Sequence, residues 1–289
     1  MHLLLPLLSS LLYVTAALFF KQAASRGVGP WRTALICNGF TGLAFLALWP
    51  MGGTFLGWSM LWQPLIVAGL FVSGQVLTFL ALEKGDVSIV TPVMGIKLIL
   101  VAFLMTWLLA TSVKPALWVA ATLSCLGIAL LHRGPARRQA HVGRTIILAL
   151  LAGAVYALFD VLIMKWAPAW GAGRFLPITM LLSATLSLGF IPLSTGSLAT
   201  ITRLQWKSLM GGSVFMAAQA MVLVTTLAVF QDGTAVNVIY NLRGLWSVLA
   251  VWVVGHWFGN EERHHGHATM RTRLLGATAL SAAVVLVFI

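Results

Sequence analysis

The chain has 289 residues, of which 60% are hydrophobic and 8% charged, and its formal net charge is +12. Soluble domains run nearer ~45–50% apolar and ~25% charged, so charges this sparse exclude a water-facing surface, and a mean hydropathy of +0.97 agrees. The positive balance does not point to nucleic acid, because the basic residues are scattered between apolar runs with no basic helix and no stacking platform; thinly spread charges of this kind orient loops at a bilayer.

A membrane-crossing helix needs ~20 mostly apolar residues. Ten such stretches follow one another, at 3–20, 33–50, 63–82, 87–110, 115–131, 145–164, 175–193, 208–230, 233–256 and 272–289. The first, in MHLLLPLLSSLLYVTAALFF, lacks the basic start of a signal peptide and has too long an apolar stretch for one, so it reads as a spanning helix. Cys37 and Cys125 fall inside apolar runs without a CxxC partner and read as small core residues. The longest polar stretch, HRGPARRQAHVGR, supplies a basic linker at 133–144 between two halves, 1–132 and 145–289. Loops joining helices 1–2, 3–4, 5–6, 7–8 and 9–10 carry thirteen basic residues, from Lys21 and Arg26 to Arg271 and Arg273, whereas the other loops carry only Lys114, Lys165 and Arg174. The positive-inside rule then places the basic loops in the cytoplasm and both termini outside. Trp31, Trp49, Trp62, Trp118, Trp166, Trp170, Trp206 and Trp257 fall near helix ends, where an interfacial belt is expected.

The halves repeat one another. Lys21, Gly27 and Gly29 recur as Lys165, Gly171 and Gly173 at an offset of 144; Thr78, Leu80 and Ala81 recur as Thr225, Leu227 and Ala228 at 147. Asp86, Ser88, Val90 and Lys97 recur as Asp232, Thr234, Val236 and Arg243 at 146. Three matches in order at a nearly constant offset outweigh any one of them. Five helices per half is an odd number, so the second half enters the membrane from the opposite side. The expected fold class is therefore an all-α integral membrane protein of ten transmembrane helices, arranged as two inverted-topology five-helix repeats, an architecture that places its site near the bilayer midplane.

The helix 3–4 stretch TFLALEKGDVSIVTPVMGIK and the closing RLLGATALSAAVVLV resemble the ten-helix EamA-type members of the drug/metabolite transporter superfamily. In that family helix 3 ends in a similar AL phrase, helix 4 opens with a small or polar run followed by Pro, and the last helix often begins with a phrase like LGA. The resemblance covers nearly the whole chain and implies a transporter of metabolites, often amino acids, sugars, nucleobases or their relatives. Members often carry a Glu at the end of helices 4 and 9; here TWLLATSVKP has none, and the second half has Glu261 and Glu262.

Ionisable groups inside spanning helices are costly and usually face the bundle interior or a water-filled cavity. Lys97, Asp160 and Arg243 stand out. Lys97 lies ~16 Å along its helix from Asp86 at 1.5 Å per residue, close to mid-membrane, and Arg243 is its repeat equivalent. Both are expected to line a central cavity. The plainer alternative is that either cation pairs with Asp160 or caps a carbonyl exposed at a helix break. Two cations against one acid favour a substrate with a carboxylate or phosphate, for which Arg supplies a fork and Lys a point charge. Asp160 is also a proton-coupling candidate, since a buried carboxylate can load and unload a proton as access alternates. Tyr240, Arg243 and Ser247 share one face of helix 9, with Asn237, Asn241 and Gly244 on the next, and Ser88, Thr91 and Gly95 are spaced similarly on helix 4. Pro92 is placed to bend helix 4. Gln75 and Gln219 are further polar residues at membrane depth. The expected substrate-binding set is Lys97, Arg243, Tyr240, Asn237, Asn241, Thr91 and Gln75, weighed against ordinary helix–helix hydrogen bonding by the amides.

The EERHHGH run, 261–267, does not fit the common zinc spacings and reads as a solvated loop, so no metal site is expected. No GxSxG, HExxH or Walker pattern occurs, so neither an enzyme nor a cofactor is expected, and transport would run on a gradient, exchange or facilitated diffusion. The leading reading is a secondary transporter in a bacterial cytoplasmic membrane. It would move a small polar or anionic metabolite, such as an amino acid or organic acid, by alternating access with or without proton coupling. The alternatives are a flippase for a lipid or lipid-linked precursor and a membrane-embedded enzyme acting on a lipid. Expected partners are a small-molecule substrate and the lipid bilayer, with no nucleic acid, for a monomer or homodimer.

Overall fold

The computed structural model describes residues 2–84, 87–131, 142–194, 198–254 and 267–288. Asp86, linker residues 133–141 and Glu261, Glu262, His264 and His265 lie outside them, as do the side chains of Ser88 and Pro92. The described residues hold helices and no strand. In chain order these are α1 (Leu4–Ser25), α2 (Pro30–Ala44), α3 (Trp62–Lys84), α4 (Val87–Met94), α5 (Lys97–Leu108) and α6 (Pro115–Leu131). There follow α7 (Val142–Trp170), α8 (Ala172–Leu186), α9 (Arg203–Phe230), α10 (Gly233–Tyr240), α11 (Arg243–Val254) and α12 (His267–Val287). Tight 3-10 turns extend α2 through Met51 and α8 through Phe190.

Local chemistry sets these ends. Gly27, at φ +83°, closes α1: its N–H donates to the Ala24 carbonyl at 2.9 Å and the Val28 N–H to that of Ala23 at 3.1 Å, a Schellman closure. Gly171, its partner in the repeat, is also left-handed, at φ +76°, and stands at the α7–α8 corner. Thr202 opens α9 with a reciprocal capping box, accepting from the Gln205 N–H at 3.3 Å while its own N–H donates to Gln205 Oε1 at 2.8 Å. Asp232 caps α10 by accepting from the Ala235 N–H.

Exposure is inverted relative to a water-soluble protein. Trp107, Ile147 and Leu126 are 71%, 59% and 56% exposed, whereas Ser9, Asn38, Ser124 and Asp160 are buried. Among the described residues six helical stretches are long and apolar enough to cross a membrane: Leu4–Ser25, Pro30–Met51, Trp58–Leu82, Val142–Trp170, Ala172–Phe190 and Arg203–Phe230. The chain is an integral membrane protein. The expected stretches 87–110 and 233–256 each resolve into two shorter helices, α4 with α5 and α10 with α11.

The chain divides into two compact units, Met1–Val72 with Leu162–Gln231 and Ser73–Val161 with Asp232–Ile289, so each unit draws on both sequence halves. In the first unit α1 packs along α9 and α2 packs on α8 and α9. Ser9 Oγ donates to the Gln219 carbonyl at 3.0 Å and accepts from Gln219 Nε2 at 3.1 Å, which places Gln219 in the helix–helix seam. Gly211 and Gly212 make room for Phe19 and Phe20 of α1, the close packing expected of that pair.

In the second unit α6 packs along α12, and α10 packs on α5, α6 and α12. Gly127 and Gly276 meet in the α6–α12 seam, where a Cβ on Gly276 would lie 2.7 Å from the Gly127 carbonyl oxygen and 2.8 Å from the Leu131 nitrogen. Those obstacles are backbone, so Gly276→Ala is expected to force the helices apart at a cost of ~1–3 kcal/mol, read as a lower melting midpoint in detergent. Gly143→Ala, where a Cβ meets nothing within 4 Å, is the control expected to leave the midpoint in place.

Candidate solute-binding site

Two interrupted helices define the site. Between α4 and α5 the Gly95 N–H donates to Thr91 and the Leu100 N–H to Ile96, as in an α-helix, at 3.2 and 3.1 Å. Between them Ile96 donates to Val93 and Leu98 to Gly95, one residue tighter, both at 3.2 Å. Between α10 and α11 the same four bonds recur: Asn241 to Asn237 at 3.0 Å, Leu242 to Ile239 at 3.0 Å, Gly244 to Asn241 at 3.1 Å and Trp246 to Leu242 at 2.9 Å. Each is the first set displaced by 146 residues. Val87–Met94 maps onto Gly233–Tyr240 and Lys97–Leu108 onto Arg243–Val254 by the same offset, so the repeat read from side chains extends to the backbone. A 3-10 turn within a helix often marks a functional position. Here it sets Lys97 and Arg243 at the heads of α5 and α11.

Lys97 finds the acid. Its Nζ lies 2.7 Å from Asp160 Oδ2, and the side chains are 18% and 2% exposed, respectively. Asn237 on α10 donates from Nδ2 to the same Oδ2 at 2.8 Å and to the Gly233 carbonyl at 2.9 Å. An isolated charge at the centre of a membrane helix costs ~2.5–3.5 kcal/mol on insertion scales; the ion pair and the amide bond offset that cost for Asp160. Pairing, the plainer alternative for Lys97, is the arrangement observed.

Arg243 has other company. Its Nη1 donates to the Tyr240 hydroxyl at 3.1 Å, and its Cζ lies 4.6 Å from the centre of the Tyr240 ring, a cation–π contact. Tyr240 is 6% and Asn241 4% exposed. Asn241 Nδ2 and Trp246 Nε1, on the same turn and the helix after it, are buried donors without an acceptor among the described residues. A buried donor left unmatched costs roughly 1–3 kcal/mol, so the turn has hydrogen-bonding capacity that an oxygen-bearing solute would use.

All eight residues expected from the sequence lie in the second unit. Lys97, Asp160 and Asn237 are in direct contact, and Arg243 and Tyr240 form a pair. Thr91 and Gln75 are half-buried on α4 and α3 of that unit. Three further residues support the site. The Lys97 ammonium sits 6.0 Å from the Tyr156 ring centre, and Gly74 on α3 admits that ring, since a Cβ there would lie 2.8 Å from it. Cys125 Sγ donates to the Gly95 carbonyl at the first tight turn, at 2.9 Å, a more specific role than core filling. Tyr156 was detectable as an aromatic residue one turn before Asp160 on α7; Gly74 and Cys125 carried no such signal.

Residues 1–133 match the EamA-like transporter family. That match, carried by the first half, bears out the resemblance seen in TFLALEKGDVSIVTPVMGIK. A solved structure described only as a crystal structure of protein shares the fold of this chain, with a TM-score of 0.76 and 16% identity over 99% of this chain and 97% of that one. No protein of curated function matches the sequence.

Proposed function

We propose that this chain is a secondary transporter that moves a small polar or anionic metabolite, an amino acid, an organic acid or a relative, across a bacterial cytoplasmic membrane by alternating access. In this reading α4 with α5 and α10 with α11 each make one interrupted span. The ten spans then form two five-helix repeats, 1–132 and 145–289, of inverted topology, with the linker 133–144 in the cytoplasm and both termini outside. Lys97, Asn237, Tyr240, Asn241 and Arg243, with Thr91 and Gln75, contact the solute.

The observation that carries the proposal is the tight turn repeated at an offset of 146, with a cation heading the helix after each turn. Interrupted helices at membrane depth are tolerated where they line a cavity, and their exposed backbone groups and end charges bind solute. An arginine beside unmatched amide and indole donors suits a carboxylate. The test is uptake into liposomes holding the purified protein, from a panel of amino acids, short carboxylic acids, sugars and nucleobases. Accumulation of a carboxylate-bearing compound is the expected result. Uptake confined to uncharged sugars or nucleobases would sink the anion assignment.

A further inference from the structure

We infer that Asp160 is a built-in competitor for Lys97, which a proton disarms when solute binds, so that about one proton travels with each anion, the number that leaves no added charge in the membrane interior. The inference rests on the transport reading above.

Exposure gives the two partners different places. The Lys97 side chain is 18% exposed and that of Asp160 2%, so Lys97 is the partner with surface open to a solute and Asp160 is the covered one. A solute carboxylate approaching Lys97 therefore contends with Asp160 for the same group. With both carboxylates ionised, Lys97 would face two negative charges and could pair with only one of them, an excess of carboxylate over ammonium that a low-dielectric interior penalises. A proton from the aqueous side removes the excess by forming an O–H bond at Asp160 Oδ1. The Lys97–Asp160 ion pair is then released, and the ammonium turns to the solute. No other bond is made or broken, and release of the solute reverses the step.

Asn237 makes the exchange repeatable. Its Nδ2 donates to Asp160 Oδ2 and to the Gly233 carbonyl, so the protonated acid stays anchored to α10 while Lys97 is away. Lys97 on α5 is the charged group shown against Asp160; other titratable groups on the described elements of this unit include Arg144 and Tyr156 on α7, Cys125 on α6, Tyr240 and Arg243 flanking the α10–α11 turn, and Asp232 capping α10. Arg243 is engaged by Tyr240 and Asp232 by the Ala235 N–H. The acid is also not something the repeat requires. At the offset of 144 that relates the first helices of the halves, the position matching Asp160 is Ala16.

The test measures protons carried per anion. Purified protein in liposomes is offered an equimolar mixture of the common amino acids and short carboxylic acids; vesicle contents are measured by mass spectrometry and internal pH by a trapped dye. Wild type is expected to give a ratio near one, Asp160→Asn a ratio near zero for whatever anion still enters, and Asp160→Glu a return towards the wild-type ratio. Asp160→Ser, smaller and also neutral, serves in place of the asparagine variant should that fail to fold. A wild-type ratio near zero, or a neutral variant that keeps the wild-type ratio, overturns the competitor role and leaves anion transport standing. If no carboxylate enters wild-type vesicles, the transport reading falls and this inference falls with it.

Discussion

Lys97→Met is expected to destabilise the protein in detergent by about 3–5 kcal/mol, the cost of stripping a buried charge of its partner, and adding Asp160→Asn to it should recover most of the loss. The large term is the carboxylate left behind. Asp160 is 2% exposed and accepts at one oxygen from both Lys97 and Asn237, so removing the ammonium leaves a charge with only an amide among the described residues to answer it. Asparagine at 160 removes that charge and still offers Asn237 a carbonyl oxygen. The reverse single change should be milder, because Lys97 is 18% exposed and its flexible stem can carry the ammonium towards solvent. Melting midpoints of the two single variants and the double one decide the matter. Equal losses in the two singles, or a double variant no better than Lys97→Met, would show that the pair is not what holds these helices together.

The parts of this site that sequence made legible are those that charge makes rare. In helices with so few ionisable residues, Lys97, Asp160 and Arg243 identify themselves, and the offset of 146 links the first to the third. Which cation takes the acid is a tertiary fact. Asp160 reaches Lys97 through the packing of α7 on its neighbours, and helices that are apolar all round give no amphipathic stripe from which to read such packing. The same absence hides the two compact units, which combine segments of both halves.

The tight turns show a different limit. Pro92 suggests a proline-driven bend in the first half, yet its equivalent at the same offset is Val238, and the four backbone bonds of the second turn repeat those of the first. The turn therefore does not depend on proline. Its other support in the first half is the Cys125 thiol on the Gly95 carbonyl, a bond between α6 and the α4–α5 turn that no local pattern announces. The length of α7 has a simpler cause: Lys165 and Pro168 suggest a loop after 164, but the helix continues to Trp170, whose buried indole donates to Gln63 Oε1 at 2.8 Å.

Arg243→Met should then reduce carboxylate uptake by roughly 10- to 100-fold, the equivalent of the ~1.5–3 kcal/mol carried by a hydrogen bond to a charged group, with little effect on stability. The contrast with Lys97 comes from their partners. Arg243 donates to a neutral hydroxyl and lies over a ring, and loss of these two contacts strands no opposite charge. What is lost is the fork that would grip a carboxylate beside the unmatched donors of Asn241 and Trp246. Arg243→Lys should recover only part of the rate, since an ammonium keeps the charge and lacks the planar pair of donors. Tyr240→Phe should keep the ring contact and lose the hydroxyl that orients the guanidinium, giving a smaller drop than Arg243→Met. Initial uptake rates measured beside melting midpoints separate these outcomes. A fall in midpoint as large as that of Lys97→Met, with uptake per folded molecule unchanged, would make Arg243 a structural residue and remove it from the solute site.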